Sequence, residues 1–141
     1  MSKEEKELLL KDLCARLPYG VQVAEDNEWI GTLMSLDPFD LDYTSVYVKL
    51  KGSEKQQSYF PSEIKPYLRP MSSITEEETK EFRATKDKIP IQHDEYNNPI
   101  GYESAYTLKS FDWLNAHHFD YRNLIGKGLA LEASEGMYKM E

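Results

Sequence analysis

The sequence predicts an α+β protein: a small antiparallel β-barrel or curled sheet with an N-terminal helix and a C-terminal helical segment. Three observations lead there. Leu9, Leu10, Leu13, Cys14 and Leu17 recur at intervals of three and four, the spacing of one helix face. Residues 21–69 instead hold short alternating runs parted by polar turns. From residue 75 onward, helix-start signals return around a turn-rich stretch. At 141 residues the chain is about one domain's worth. We read it as a single domain, 1–141, with a helix over 1–18 and a β-rich half over 19–71. A helix, a hairpin or loop, and a helical segment fill 72–141.

The first helix opens on Ser2 and Glu5, which have capping-box spacing, and ends at Pro18 and Gly20. One amphipathic face is what any surface helix needs, so docking on the core outweighs partner binding as its role. Cys14 is the single cysteine, which excludes an intrachain disulfide and a cysteine zinc site. On an apolar helix position it reads as a small hydrophobe.

Strands follow. Val21 to Ala24 alternates, and Glu25 to Glu28 is a polar turn before Trp29–Leu36. Ser45–Lys51 puts Val46, Val48 and Leu50 on one face and Tyr47 and Lys49 on the other. Gly52–Lys55 is a turn, Gln57–Phe60 a fourth strand, Pro61–Ile64 a helical turn, and Pro66–Arg69 extended again. This order of short strands, with a helical turn before the last, resembles the layout of an SH3-like barrel. The acidic loop Asp37–Asp42 lacks the glycine and closing glutamate of an EF-hand, so it reads as a solvated connection.

In the second half, Thr75 and Glu78 make another capping box, opening an acidic helix to about Thr85 with thin apolar content around Phe82. Pro90, Asn97-Asn98-Pro99 and Gly101 mark a hairpin or ordered loop over 88–102. A helix then starts near Ser104 or Thr107 and runs to about His118. Asp120 is placed to cap one short turn, which Gly126 and Gly128 end, and Leu129 and Leu131 predict a last short strand.

The net charge is −8, and no basic stripe interrupts it, which argues against nucleic acid as a partner. The polar N-terminus and the broken leucine run are not a signal peptide, and no segment approaches a membrane span. The expected location is the cytoplasm, with no membrane partner.

Phe111–Arg122 gathers two of the three histidines and is the first place to look for chemistry. His117, His118, Asp112 and Asp120, with the distant His93-Asp94-Glu95, are the available metal ligands. Adjacent helical histidines diverge by about 100°, and no His-Glu-x-x-His or similar pattern exists, so no metal and no cofactor are expected. A histidine beside a carboxylate can serve as a base, so His117, His118 and Asp120 are the catalytic candidates. Their nucleophile would be Ser110, Ser104 or Cys14, none of which sits in a recognisable motif. Packing explains the same residues: His118 follows Leu114 by four and Phe111 by seven, and His117 follows Trp113 by four.

Ten tyrosines are the unusual entry in the composition. Trp29, Tyr47, Tyr59 and Tyr67, with Tyr43, are the binding candidates, because small barrels take peptides on aromatic surfaces.

Three blocks then carry a resemblance: Lys3–Val21, Ile64–Ser73, and Trp113–Arg122 continuing to Gly128–Ala133. They are similar to a group of short uncharacterised proteins of gut anaerobic bacteria, often carried on prophages and mobile elements. The resemblance covers roughly half of the chain, and it implies a context but no catalytic residue. The expectation is therefore a non-enzymatic binding or accessory protein with a protein partner, its oligomeric state left open. The alternative is a small hydrolase or metal-dependent enzyme using His117, His118 and Asp120.

Overall fold

The computed structural model describes residues 1–37 and 43–138, and only the backbone of residues 88–91, 102 and 103. The acidic loop expected after Asp37 therefore lies outside the described residues from position 38 to 42. The architecture is α+β, with an N-terminal helix and a mainly antiparallel sheet that is not closed into a barrel.

Helix α1 spans Lys3–Arg16. Its capping box forms as read: Ser2 Oγ accepts from the Glu5 amide at 3.1 Å, and Glu5 accepts in return from the Ser2 amide at 3.0 Å. A 3-10 turn over Leu17–Tyr19 follows, and Gly20 ends it with φ 68°, a conformation that glycine reaches without strain. The buried stripe differs from the expected one. Leu9, Asp12, Leu13 and Arg16 are buried, while Cys14 is exposed and is not a core residue. One residue is a rotation of about 100°. Asp12 and Arg16 take inward places, which swings Cys14 out to solvent.

Strands β1 (Gln22–Glu25) and β2 (Glu28–Asp37) join through Asp26 and Asn27, both at positive φ, as a two-residue hairpin turn requires. β3 (Ser45–Leu50) pairs with the far half of β2, and β4 (Gln56–Tyr59) pairs with β3. A 3-10 turn, Pro61–Glu63, leads into β5 (Ile64–Leu68), which returns to lie beside β1. Val46 and Val48 point into the core while Tyr47 and Lys49 stand half-buried on the other face, so the alternation in β3 holds. Gly31 pairs with Leu50 in the β2–β3 ladder, and a Cβ there would lie 2.0 Å from the Lys49 carbonyl oxygen.

Helix α2 (Glu76–Arg83) is capped by Thr75 and buries only Phe82. The β6–β7 hairpin (Asp87–His93, Pro99–Ala105) forms a separate two-stranded sheet. Its turn is built on Asp94, whose Oδ1 accepts from the Tyr96 and Asn98 amides at 2.9 and 2.8 Å, with Asn97 at φ 65°. Helix α3 spans Leu108–Ala116 with Thr107 as N-cap, ending two residues before the expected His118. β8 (Leu131–Glu132) then adds to β5 in parallel. The sheet order is β4-β3-β2-β1-β5-β8, so β4 and β8 end it on either side.

Two apolar clusters result. The larger joins α1 to the inner face of the sheet through Leu9, Leu13, Val23, Leu33, Val48 and Leu68, with Leu124 and Leu129 closing it. The smaller joins α2 to α3 through Phe82, Leu114 and Phe119. Residues 118–120 fasten the second to the sheet: the Arg69 amide donates to the His118 carbonyl at 2.7 Å, and the Asp120 amide donates to the Arg69 carbonyl at 2.8 Å.

Candidate functional site

The end of α3 decides where the two histidines go. The Phe119 amide bonds back to the Leu114 carbonyl at 3.0 Å and the His118 amide to the Asn115 carbonyl at 3.1 Å. That is a Schellman ending, whose left-handed position glycine usually occupies. Here it is His118, at φ 63°. A side chain in that conformation costs on the order of 1 kcal/mol. The backbone reversal also parts the rings. His117 lies flat on Trp113, with ring centroids 4.0 Å apart, and its Nδ1 is 2.9 Å from the Trp113 carbonyl. His118 lies flat on Tyr138, centroids 3.6 Å apart.

Both histidines line one cleft of about 400 Å3, together with Arg69, Glu77, Glu78, Glu81, Ala116 and Tyr138. Arg69 and Glu78 pair in a bidentate fork at 2.7 and 2.8 Å. Those bonds from Arg69, together with the Thr75 amide, hold the Glu78 carboxyl down to about 2. Arg69 also spreads over the Phe119 ring, 4.1 Å from its centroid. His117 Nε2 stands 3.9 Å from Glu81 Oε2, which the Trp113 indole N–H reaches at 3.4 Å.

His118 is only 7% exposed, and its Nδ1 is buried without a hydrogen bond. Burial lowers its pKa to about 3, helped by the positive charges of Arg16, His117 and Arg69. The ring is therefore neutral at physiological pH. Behind it lies a charge network that the sequence did not announce. Arg16 donates to Asp12 at 2.7 Å and to the Phe119 carbonyl at 2.6 Å, and Arg122 reaches the other Asp12 oxygen at 2.8 Å. Arg16 Nη1 is buried with no partner.

Tyr138 ties the C-terminal stretch to the sheet. Its hydroxyl accepts from the Gln22 amide at 2.8 Å and donates to the Tyr67 carbonyl at 2.7 Å. Val23 pairs with Pro66 in the β1–β5 ladder, so Gln22 and Tyr67 are the next pair along. The hydroxyl bridges the two strands where they part. Burial raises the Tyr138 pKa well above the ordinary phenol value.

Asp120 does not join the histidines. Its two oxygens accept from the Leu124 and Ile125 amides at 2.8 and 2.9 Å, so it anchors the following turn. That stretch is a short turn, as expected, with Asn123 at φ 59°. Asp112 and His93 are exposed, away from the residues lining the cleft. Among the described residues, no three His, Cys, Asp or Glu side chains form a group able to hold a metal ion. Of the candidate nucleophiles, Ser110 is buried and hydrogen-bonded to Thr85, Cys14 is exposed on α1, and Ser104 is exposed on β7.

The aromatic candidates are scattered. Tyr59 belongs to the core and Tyr47 is half-buried on β3. Tyr67 is half-buried beside the Tyr138 bridge. Trp29 is exposed, its indole donating to Gln22 at 2.7 Å under the Lys51 ammonium. Tyr43 is exposed against Phe60. The larger exposed apolar group is elsewhere, at the foot of the β6–β7 hairpin: Tyr106, Leu108 and Phe111, with Leu108 84% exposed. Phe111 was expected in the core stripe. It packs instead on the outer rings of Tyr106 and Tyr121.

Compared with protein-family models, curated proteins and solved structures, the chain finds no match. No helix among the described residues is long and apolar enough to cross a membrane.

Proposed function

We propose that this protein is a non-enzymatic binding or accessory protein that acts through contact with another protein, in the cytoplasm, within a phage or mobile-element setting. One observation carries the reading. The β6–β7 hairpin stands outside the main sheet, and Tyr106, Leu108 and Phe111 expose their side chains together at its foot. Clustered exposed apolar side chains mark interaction surfaces more often than single ones do. The SH3-like layout fits the same reading. The order β4-β3-β2-β1-β5, with a 3-10 turn before β5, supports it, and β8 is then an addition at the edge. The setting rests on the three resembling blocks alone. The enzyme alternative has less support, since Asp120 is committed to the turn after it.

The test is affinity purification from a native host, run with the natural chain and with a Leu108→Asp, Phe111→Asp double variant. The reading expects one partner retained by the natural chain and lost from a folded variant. Recovery of no protein above background would overturn it.

A further inference from the structure

Residues 133–138 are tied to the fold at their two ends. The Ala133 amide donates to the Leu68 carbonyl at 2.8 Å, and the Tyr138 hydroxyl bridges the Gln22 amide and the Tyr67 carbonyl. Between these ties the chain turns on itself, with the Met137 amide on the Ser134 carbonyl at 3.1 Å and Gly136 at φ 84°. Ser134, Glu135 and Gly136 are exposed. Part of the turn meets space: residues 132–136 line a hollow of about 520 Å3 with Arg69, Pro70, Ser73, Thr75 and Tyr138. Arg69 and Tyr138 also line the histidine cleft. A segment with exposed backbone and little packed surface between its ties opens at a fraction of the global unfolding free energy.

The Tyr138 ring closes over a titratable group. It lies flat on His118, centroids 3.6 Å apart, and the His118 ring is buried and neutral. Charge that repels a proton faces His118 from three elements: Arg16 of α1, His117 at the end of α3 and Arg69 after β5. Glu77, Glu78 and Glu81 of α2 line the cleft, and Glu132 and Glu135 line the hollow. Burial is the largest cause of the low His118 pKa, so the cause is relieved once Tyr138 leaves and water reaches the ring. The open form then takes a proton at pH values where the closed form does not, and falling pH favours opening.

We propose that residues 133–138 are an acid-sensitive strap, which opens at Tyr138 while the rest of the fold stays closed and is held open by a proton on His118. Opening enlarges both the cleft and the hollow and bares the Gln22 amide and the Tyr67 carbonyl. It is a property of the chain itself and does not depend on the protein-contact reading. Arg16, Arg69 and His117 still oppose the proton in the open form, so opening should grow about tenfold between about pH 7.5 and about pH 5.

Native-state hydrogen exchange of the full chain, read by NMR, tests this. The Gln22 amide reports the strap, and amides of the β2–β3 ladder report the whole fold. In low urea the Gln22 amide is expected to exchange at an unchanged rate while the ladder amides speed up, because strap opening exposes little surface. Its protection factor is expected to fall about tenfold from about pH 7.5 to about pH 5. In His118→Gln, folded by circular dichroism, that fall is expected to vanish. A Gln22 amide with the same urea dependence as the ladder overturns the inference, because Tyr138 then leaves only when the whole fold does. A protection factor that holds across this pH range, or that falls equally in His118→Gln, overturns it too. Should that variant not fold, the urea dependence and the pH profile of the natural chain decide alone.

Discussion

Asp12 and Arg16 meet one helical turn apart, with Oδ2 and Nε 2.7 Å from each other and neither side chain in contact with solvent. Arg122 shares the carboxylate and the Phe119 carbonyl shares the guanidinium, so α1 is bound to the chain after α3 by charge as well as by packing. A buried pair loses most when one member is removed, because the other is left uncompensated. Asp12→Ala should therefore cost about 3–5 kcal/mol. Asp12→Leu with Arg16→Met should cost less than the sum of the two single changes. Urea denaturation of the four proteins measures this, and simple additivity would count against it.

Tyr138→Phe removes one oxygen and leaves the Gln22 amide and the Tyr67 carbonyl without their bridge. The expected loss is about 1–3 kcal/mol. Hydrogen exchange offers the local check: the Gln22 amide should exchange faster in the variant, while amides in the β2–β3 ladder keep their protection.

At position 118, glycine and alanine both remove the ring, but only alanine keeps the left-handed strain. His118→Gly should be more stable than His118→Ala by about 1 kcal/mol, read from urea midpoints. Equal midpoints would mean that the Schellman ending does not persist in solution.

Acid sensitivity should come in two stages. The folded pKa of His118, about 3, lies below its ordinary value of 6.5. Between these values the unfolded chain holds the proton and the folded chain does not, so stability rises with pH. That stability is complete above about 6.5 and drains away as the pH falls toward 3. His118→Gln should flatten this part of the profile. Glu78 acts lower down. Its carboxyl, held to about 2 by Arg69, stabilises the fold above its ordinary 4.5 and loses that effect as pH falls through 2. Arg69→Gln should remove the second stage. Chemical denaturation at a series of pH values separates the two.

Gly31→Ala would set a Cβ 2.0 Å from a backbone oxygen that cannot move without shifting β3. Overpacking of this kind costs about 1–3 kcal/mol or more. A variant as stable as the natural chain would show that β2 and β3 approach each other less closely at Gly31.

What the sequence made legible was local. Ser2–Glu5 and Thr75–Glu78 announced two helix starts, and the alternation of Val46, Tyr47 and Val48 announced β3 and its faces. Asn97-Asn98-Pro99 announced the hairpin turn. What escaped was set by distant partners. Asp12 and Arg16 look like surface charges until Arg122 and the Phe119 carbonyl arrive, more than a hundred residues later in the chain. Cys14 looks apolar and inward until those charges take the inward face. Helical angles led us to expect that His117 and His118 diverge, but it is the Schellman reversal at His118 that parts them, and their shared cleft depends on it and on Tyr138, which no short-range pattern reveals.

The parallel strand β8 has a consequence for synthesis. On a ribosome, β1 to β5 emerge first and could pair among themselves, but the outer edge of β5 stays bare until Leu131 and Glu132 have been made. An unpaired edge is a template for other chains. The nascent chain therefore spends the interval in which residues 69–130 are translated with the outer edge of β5 uncovered. A ribosome stalled in that window would hold a product prone to self-association along β5.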